Sequence, residues 1–528
     1  MKKILIIFSI LFSGTFTSCE KFITTLPQDF ISPETYYRTE TELNTALVGV
    51  YDILGQRGVY GRNLILELGL ATDEGFCRAS TGVLPYFYNN DASDANVANS
   101  WTSLYQGIER ANLLLKNIDK ADASQEAKDV IRGQALFLRS YFYFILVTNW
   151  GDVPLKLQPS GSLSEISIKK TPAKDIYEKI ITDMTTAEAL VMGIAESGSG
   201  RVSKSAIQGI LAKVCLHAAG RVNDPAKYTL SLQWSEKLIN TNIHYLNADY
   251  TQVFINYLQD KYDIHESIWE VEFSGNGIGT TYNETENFVS AFGILNSDEN
   301  PVGYSYGLIL STAKFYNAYS ATDKRRDWNI SPFTYTGNKG VAKTNYPTTN
   351  KWRYIGKYRR ELQLLSPKNK NFGPTNFPLL RYADVLLMYA EASNIVNGGP
   401  NIAAYKAINQ VRRRALGLEI NTANPLADLS ANLNEIDFLN ALKNERFKEL
   451  AFEGIRKLDL IRWGDFLKLM QDEIVDVNTN GITSGPAWPG KAIVARTFEN
   501  VAERHLLLPI PQIELSLNSG FGDQNFGW

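Results

Sequence analysis

The sequence predicts a mostly α chain, an array of antiparallel helix pairs interrupted by one large irregular insertion and closed by a loop-rich C-terminal tail. Three observations carry this. Apolar residues recur at helical spacing through much of 41–244 and 377–470, and Gly- and Pro-bearing breaks separate the stripes. Between 245 and 376 that period gives way to a segment rich in Tyr, Trp, Asn, Gly and Thr.

The first stripe is Leu43, Ala46, Leu47, Val50, Tyr51 and Leu54, one face of a helix. Residues 62–100 lose the period and read as a long loop. The second helix carries Tyr105, Ile108, Asn112 and Leu115 on one face. The third, over 125–149, carries Leu138, Tyr141, Phe142, Ile145 and Leu146, and Gly151 and Pro154 stop it. Thr171 as N-cap with Pro172 in the first turn opens a fourth helix that runs to about Met192. After Ser197–Arg201, the stretches Ser203–Ala219 and Tyr228–Asn240 form another pair.

Inside the insertion, Ser267–Phe273 reads as a strand and Leu308–Tyr319 keeps a weak helical period. Beyond Pro378 the stripe Tyr382, Val385, Leu386, Tyr389 and Ala392 is followed by Ala404, Ile408, Val411 and Ala415, then by one or two helices over 435–469. The tail is 471–528. Pairs of about 35–45 residues give a tetratricopeptide-like rhythm. The consensus signature of that repeat is absent, and an irregular all-α bundle would show the same period.

The N-terminus reads as a leader. Lys2 and Lys3 precede an apolar run from Ile4 to Phe12 and then small and polar residues up to Cys19, the pattern of a secretory signal over 1–18. Residues 19–40 would be a tether, and no later stretch approaches the roughly 20 apolar residues of a spanning helix. Removing 1–18 takes away Lys2 and Lys3 and moves the formal charge from −3 to −5. A balance this weakly acidic gives no electrostatic reason to expect nucleic acid or an anionic membrane surface. Cys215, in an apolar run, reads as a buried thiol, while a disulfide to Cys77 stays open.

No catalytic or metal motif stands out. The four histidines lack paired metal spacing, no GxSxG elbow is present, and the glycines at 275, 277 and 279 fail the GxGxxG register. Nothing calls for a cofactor. Arg446, Glu449, Glu453, Arg456, Asp459 and Arg462 fall mostly at i+3 or i+4, which places Glu449 and Glu453 on one helix face. Interleaved arginines keep both ionised, which is wrong for a general acid, so the segment reads as an ion-pair lattice between helices.

The aromatics in polar segments either pack against the scaffold or form a ligand platform. A sugar ring has apolar C–H faces and polar edges, so its site needs flat aromatic plates ringed by amides, carboxylates or guanidinium groups. Two stretches offer this: Tyr86, Tyr88 and Asn90 with Asp91, and, in the insertion, Tyr282, Asn283, Tyr304, Tyr306, Trp328, Trp352 and Arg353. They are expected to converge on one surface. A glycoside hydrolase would need two opposed acids in such a cleft, for example Asp91 with Glu284 or Glu286.

Several segments together resemble the SusD/RagB family of Bacteroidetes outer-membrane lipoproteins. They include LPQDFISPETYY, ELNTALVGVYDIL, WTSLYQGIERANLLLKNI and IRGQALFLRSYFYFILVTNWGDVPL in the first half. LLRYADVLLMYAEASN, NERFKELAFEGIRKLDLIRWGDF and LLLPIPQIELSLN follow in the second. The resemblance leaves 245–376 unmatched. Cys19, after Phe16-Thr17-Ser18, resembles the lipobox cysteine whose thiol receives a lipid. What the resemblance implies is a tetratricopeptide-like scaffold on the outer membrane, lipid-anchored and facing outward, with a variable region that binds oligosaccharide. It implies a partner, a SusC-like TonB-dependent transporter that receives the ligand, and no catalysis. A peptide ligand would fit the same family.

Overall fold

Helices with side-chain caps and apolar faces build most of the computed structural model, which describes residues 36–528 apart from 67, 79–83, 162–166, 280–283, 300 and 481–490. Helix α1 (Glu40–Gly55) starts in a capping box: Thr39 Oγ1 accepts from Glu42 N at 3.2 Å and Glu42 Oε2 accepts from Thr39 N at 3.0 Å. Asp94 caps α2 (Ala95–Asn117), Ser124 caps α3 (Gln125–Trp150) and Ser203 caps α5 (Lys204–Arg221). The long loop expected over 62–100 is thus shorter, because α2 begins at Ala95 and places Trp101 in its second turn, buried. At α4 (Ala173–Leu190) the expected Thr171 cap is replaced by one from outside the helix. Asp152 Oδ1 accepts from Ala173 N at 2.7 Å, while Thr171 N donates to Val153 O.

Helix α6 (Ala226–Ile239) packs on α5, α3 packs between α2 and α4, and α8 (Tyr382–Val396) lies against α6 and α9 (Ile402–Ala415). Helix α3 corrects the expectation about spanning segments. It is long and apolar enough to cross a bilayer, but 83% of its most apolar window is buried inside the protein. It is buried on every side from Phe137 to Thr148, so an apolar stripe gives way to apolar residues all round.

The insertion holds short helical turns and paired strands. A further helix, α7 (Tyr250–Leu258), lies within it, and the described residues form three two-stranded antiparallel pairs. These pair β1 (Gly75–Cys77) with β3 (Ile309–Ser311), β2 (Ser267–Val271) with β6 (Phe377–Arg381), and β4 (Phe333–Tyr335) with β5 (Lys343–Asn345). The β2–β6 pair fastens the start of the insertion to its end, beside α3. There Trp269 meets Phe137 and Tyr141 edge-on at 5.0 and 4.8 Å.

The C-terminal region departs from expectation twice. Residues 444–464 do not form one helix: α10 (Glu435–Glu449) ends, Phe452 and Gly454 take φ of +59° and +71°, and α11 (Arg456–Arg462) starts anew. Glu449 and Glu453 therefore come from a helix end and the following turn. The tail is less loop-rich than expected from 471, since α12 (Phe466–Asn480), α13 (Lys491–Glu499) and α14 (Gln512–Leu517) run through it.

The charges of this region form a buried lattice. Glu449 accepts from Arg325, Arg381 and Arg414 at 3.0, 3.0 and 2.7 Å, and Glu453 from Arg381 and Lys357 at 2.8 and 2.6 Å. A second group joins Arg446 to Asp384 and Asp459, and Arg462 to Asp459 and Glu391. Burial alone would raise the Glu453 carboxyl, yet Arg381 and Lys357 hold it below its ordinary value. Cys77 and Cys215 are buried thiols, and burial pushes Cys215 up to about 12.

Carboxyls outside the lattice set a pH dependence. Burial pushes Glu74, Glu270 and Glu473 from 4.5 to about 8 and Glu286 to about 7, so the folded state holds protons that the unfolded chain releases. Buried His217, His244 and His505 act in the opposite sense below 6.5, because burial keeps them neutral. The two sets act against each other between pH 4.5 and 6.5. From 6.5 towards 8 the carboxyls dominate, each removing on the order of 1 kcal/mol of stability per pH unit. Lys357 and Lys457, which burial pulls down to about 8, begin to oppose them only at the upper end of the window. Thermal melts should fall over that window, and Glu473→Gln should flatten the decline. A melting temperature constant from pH 6.5 to 8 would contradict this.

Candidate functional site

Strand β1 ends where the site begins. Arg78, the next residue, donates from its backbone N to Leu308 O at 2.9 Å, continuing the β1–β3 ladder. Its side chain turns along the neighbouring backbone and donates from Nε to Gly307 O at 2.6 Å and from Nη2 to Tyr306 O at 3.0 Å. Gly307 is required here: its φ is +55°, and a Cβ would lie 2.8 Å from both Leu295 and the Tyr354 ring. On the other side Tyr306 N donates to Ser290 O and Leu308 N to Ala291 O, at 2.8 and 2.9 Å. Arg360 Nη1 holds Tyr304 O at 2.8 Å. The 304–308 backbone is thereby clamped on both edges.

The clamp presents two rings. Tyr304 and Tyr306 are half-buried, with centroids 4.8 Å apart and planes at 70°. Lys370 Nζ stands 4.5 Å from the Tyr304 centroid and 5.9 Å from that of Tyr306. Tyr306 Oη donates to Asn371 Oδ1 at 2.8 Å, and Asn371 O accepts from Ser290 Oγ at 3.1 Å and from Asn287 Nδ2. Two aromatic plates, an ammonium and an amide thus share one surface, and the amide Nδ2 of Asn371 points away from the Tyr306 bond. This arrangement can stack on an apolar ring face and donate to oxygens at its edge. Neighbouring Phe372 is 37% exposed and extends the apolar surface.

Of the residues singled out from sequence, Tyr304 and Tyr306 lie on this surface, Asp91 is exposed elsewhere, and Cys19, Tyr282 and Asn283 lie outside the described residues. The other six are buried, which corrects the expectation that they form an open platform. Trp352 is 1% exposed and packs edge-on against Phe76 at 5.4 Å. Trp328 is covered by Arg359, whose guanidinium lies 4.6 Å from its centroid. Arg353 is buried between Tyr316 and Tyr346 and donates from Nε to Asn350 O at 2.7 Å. Tyr86, Tyr88 and Asn90 are buried as well, and Tyr88 packs on His505 and Phe466 of α12, donating to Ala71 O. The 86–90 stretch fills the interior beneath the C-terminal helices and does not join Tyr304.

The paired-acid alternative also loses its geometry. Glu286 is fully buried and its Oε2 accepts from Val289 N at 2.9 Å, a helix-capping role. Asp91 is exposed and its Oδ1 accepts from Ser93 N and Oγ. Burial, with Asp52 adding repulsion, pushes Glu284 to about 7, but it packs against Gly55 at the end of α1. Among the described residues no cluster of His, Cys, Asp and Glu could hold a metal ion. Arg78, Arg360, Lys370 and Asn371 were missed from sequence. They reach the site from separate stretches, and no local pattern marks them.

The SusD family model matches residues 265–528, and a model described as starch-binding associating with outer membrane matches 27–216. A SusD-like protein from Formosa agariphila is 28% identical over 545 residues, covering 95% of this chain and 94% of its own. Among solved structures, a SusD homolog from Bacteroides thetaiotaomicron superposes with a TM-score of 0.85 at 26% identity, over 94% of this chain and 98% of that one. Surface glycan-binding protein A from the same species, in complex with laminarihexaose, gives 0.69 at 20% identity over 92% and 99%. With half its length matched by the family model and its fold shared along nearly the whole chain, this protein belongs to the SusD family.

Proposed function

We propose that the protein is a non-catalytic, cell-surface oligosaccharide-binding lipoprotein that passes its ligand to a SusC-like TonB-dependent transporter of the outer membrane. The observation that carries this is the clamped Tyr304–Tyr306 pair with Lys370 and Asn371 at its edge. The outer-membrane association in the family description and the laminarihexaose bound by a structural neighbour support the reading. Screening the mature chain on glycan and peptide arrays tests it. Binding of one glycan class, without hydrolysis, is the expected result, and capture of peptides alone would replace the ligand class.

The anchor is Cys19, with residues 1–18 removed. Acyl chains on one cysteine hold the protein at the membrane because each buried methylene adds about 0.8 kcal/mol. A fatty-acid probe should label the wild type and leave Cys19→Ala unlabelled and released from the membrane fraction. Labelling that persists in the variant would refute the anchor. Protease added to intact cells should degrade the protein if it faces outward.

A further inference from the structure

A cavity on the helical scaffold shares no residue with the Tyr304–Tyr306 platform. It is a groove of about 550 Å³ between α6, α8 and α9, closed at one end by the segment after α6. At that end stands Tyr245, 56% exposed, which is unusual for a ring held this firmly. One of its faces is stacked on His265, with centroids 4.2 Å apart and planes at 20°. The backbone locks the stack: Tyr245 N donates to His265 O at 3.1 Å, and His265 Nδ1 lies 2.9 Å from Ile243 O. A carbonyl can only accept, so that imidazole carries its proton on Nδ1. His244 Nδ1 makes the same contact with Ile264 O at 2.9 Å. The result is an aromatic plate with one face blocked and the other open, fixed before any ligand arrives.

The rest of the groove mixes apolar side chains such as Leu386 and Ile420 with polar ones and carries no net charge. Four amides, Asn240, Asn242, Gln410 and Asn421, are among its lining residues. Gln410 Nε2 donates to Asn421 Oδ1 at 2.7 Å, which orients Gln410 Oε1 as an acceptor and Asn421 Nδ2 as a donor. Glu236 and Lys406 supply one charge of each sign. Buried His244 sits in the wall, and its Nε2, an acceptor in this tautomer, has no hydrogen-bond partner. A ligand suited to this lining has an apolar face for the ring and neutral hydroxyls for the amides. We infer that the groove centred on Tyr245 is a second carbohydrate-binding site. The inference rests on the carbohydrate reading given above for its ligand class, but on different residues.

The test uses the full chain in detergent with isoleucine methyl groups labelled, since Ile239 and Ile420 line the groove. The probes are laminarihexaose, maltohexaose, xylohexaose and mannohexaose. At least one should shift the Ile239 and Ile420 resonances, and the shift should persist in Tyr304→Ala/Tyr306→Ala. Tyr245→Ala, and independently Gln410→Ala, should weaken it about tenfold or more while the platform still binds. If hexasaccharides bind only through Tyr304 and Tyr306 and the two methyls never move, the groove proposal fails and the platform stands. If no hexasaccharide binds at either place, both fall. Movement of the methyls by peptides and not by sugars would make the groove a peptide site and overturn the proposal.

Discussion

Glu453→Ala should cost about 3–5 kcal/mol of stability, the usual consequence of removing one partner from a buried ion pair. Glu453 satisfies Arg381 with both oxygens and Lys357 with one, and all three side chains are at most 2% exposed. Without it, Lys357 keeps the Ala451 carbonyl but loses its counter-charge. Burial already pulls that ammonium down to about 8, so part of the cost is relieved by shedding its proton. Arg381 has no such escape, although Glu449 and Glu266 still face it. Chemical denaturation of wild type and variant, together with calorimetric titration of any array ligand, separates the roles. Lower stability with unchanged affinity is expected. Normal stability combined with loss of a hydrolytic activity present in the wild type would instead make Glu453 a catalytic group.

Replacing Tyr304 or Tyr306 by Ala should weaken glycan binding at the platform tenfold or more. A truncated interface anchor costs on the order of 1–2 kcal/mol, and 1.4 kcal/mol is one decade of affinity. Tyr306→Phe isolates the hydroxyl. It keeps the plate and removes the bond that orients Asn371, so an intermediate loss is expected. The fold should survive, because both rings are half-buried while the carbonyls gripped by Arg78 and Arg360 remain. Calorimetry with the best array glycan reads all three variants. Unchanged affinity in each would place the site elsewhere. Trp328 and Trp352 variants should unfold or destabilise the protein rather than act on the ligand, since both side chains are interior.

Much of the helical scaffold was legible because apolar stripes and capping residues are local signals. Leu43 through Leu54 marked α1, and Tyr382 through Ala392 marked α8. The break inside 444–464 was not legible, because its turn depends on Phe452 taking a positive φ, which no composition rule anticipates. The ion lattice was readable as a pattern of alternating charge, but its partners Arg325, Lys357 and Arg381 come from the insertion and its closing strand. The site was the hardest part. Tyr304 and Trp352 look alike in sequence, aromatics among polar neighbours. What distinguishes them is that Trp352 is enclosed, with Phe76 from far away in the chain against it, while Tyr304 meets Tyr306 and the Lys370 ammonium and stays half-exposed. Burial of that kind is decided by tertiary pairing, so composition alone points to both.

The clamp beneath the platform holds main-chain oxygens. Arg78 grips the carbonyls of Tyr306 and Gly307, and Arg360 those of Tyr304 and Phe372. Every residue has a carbonyl in the same place, so the grip is blind to the side chains at 304, 306 and 372. On the proposed reading, those side chains can be exchanged one at a time to retune which ligand is held, while the mount beneath them stays intact. Selectivity is in this sense uncoupled from architecture, and a transplanted pair of side chains should carry its preference with it.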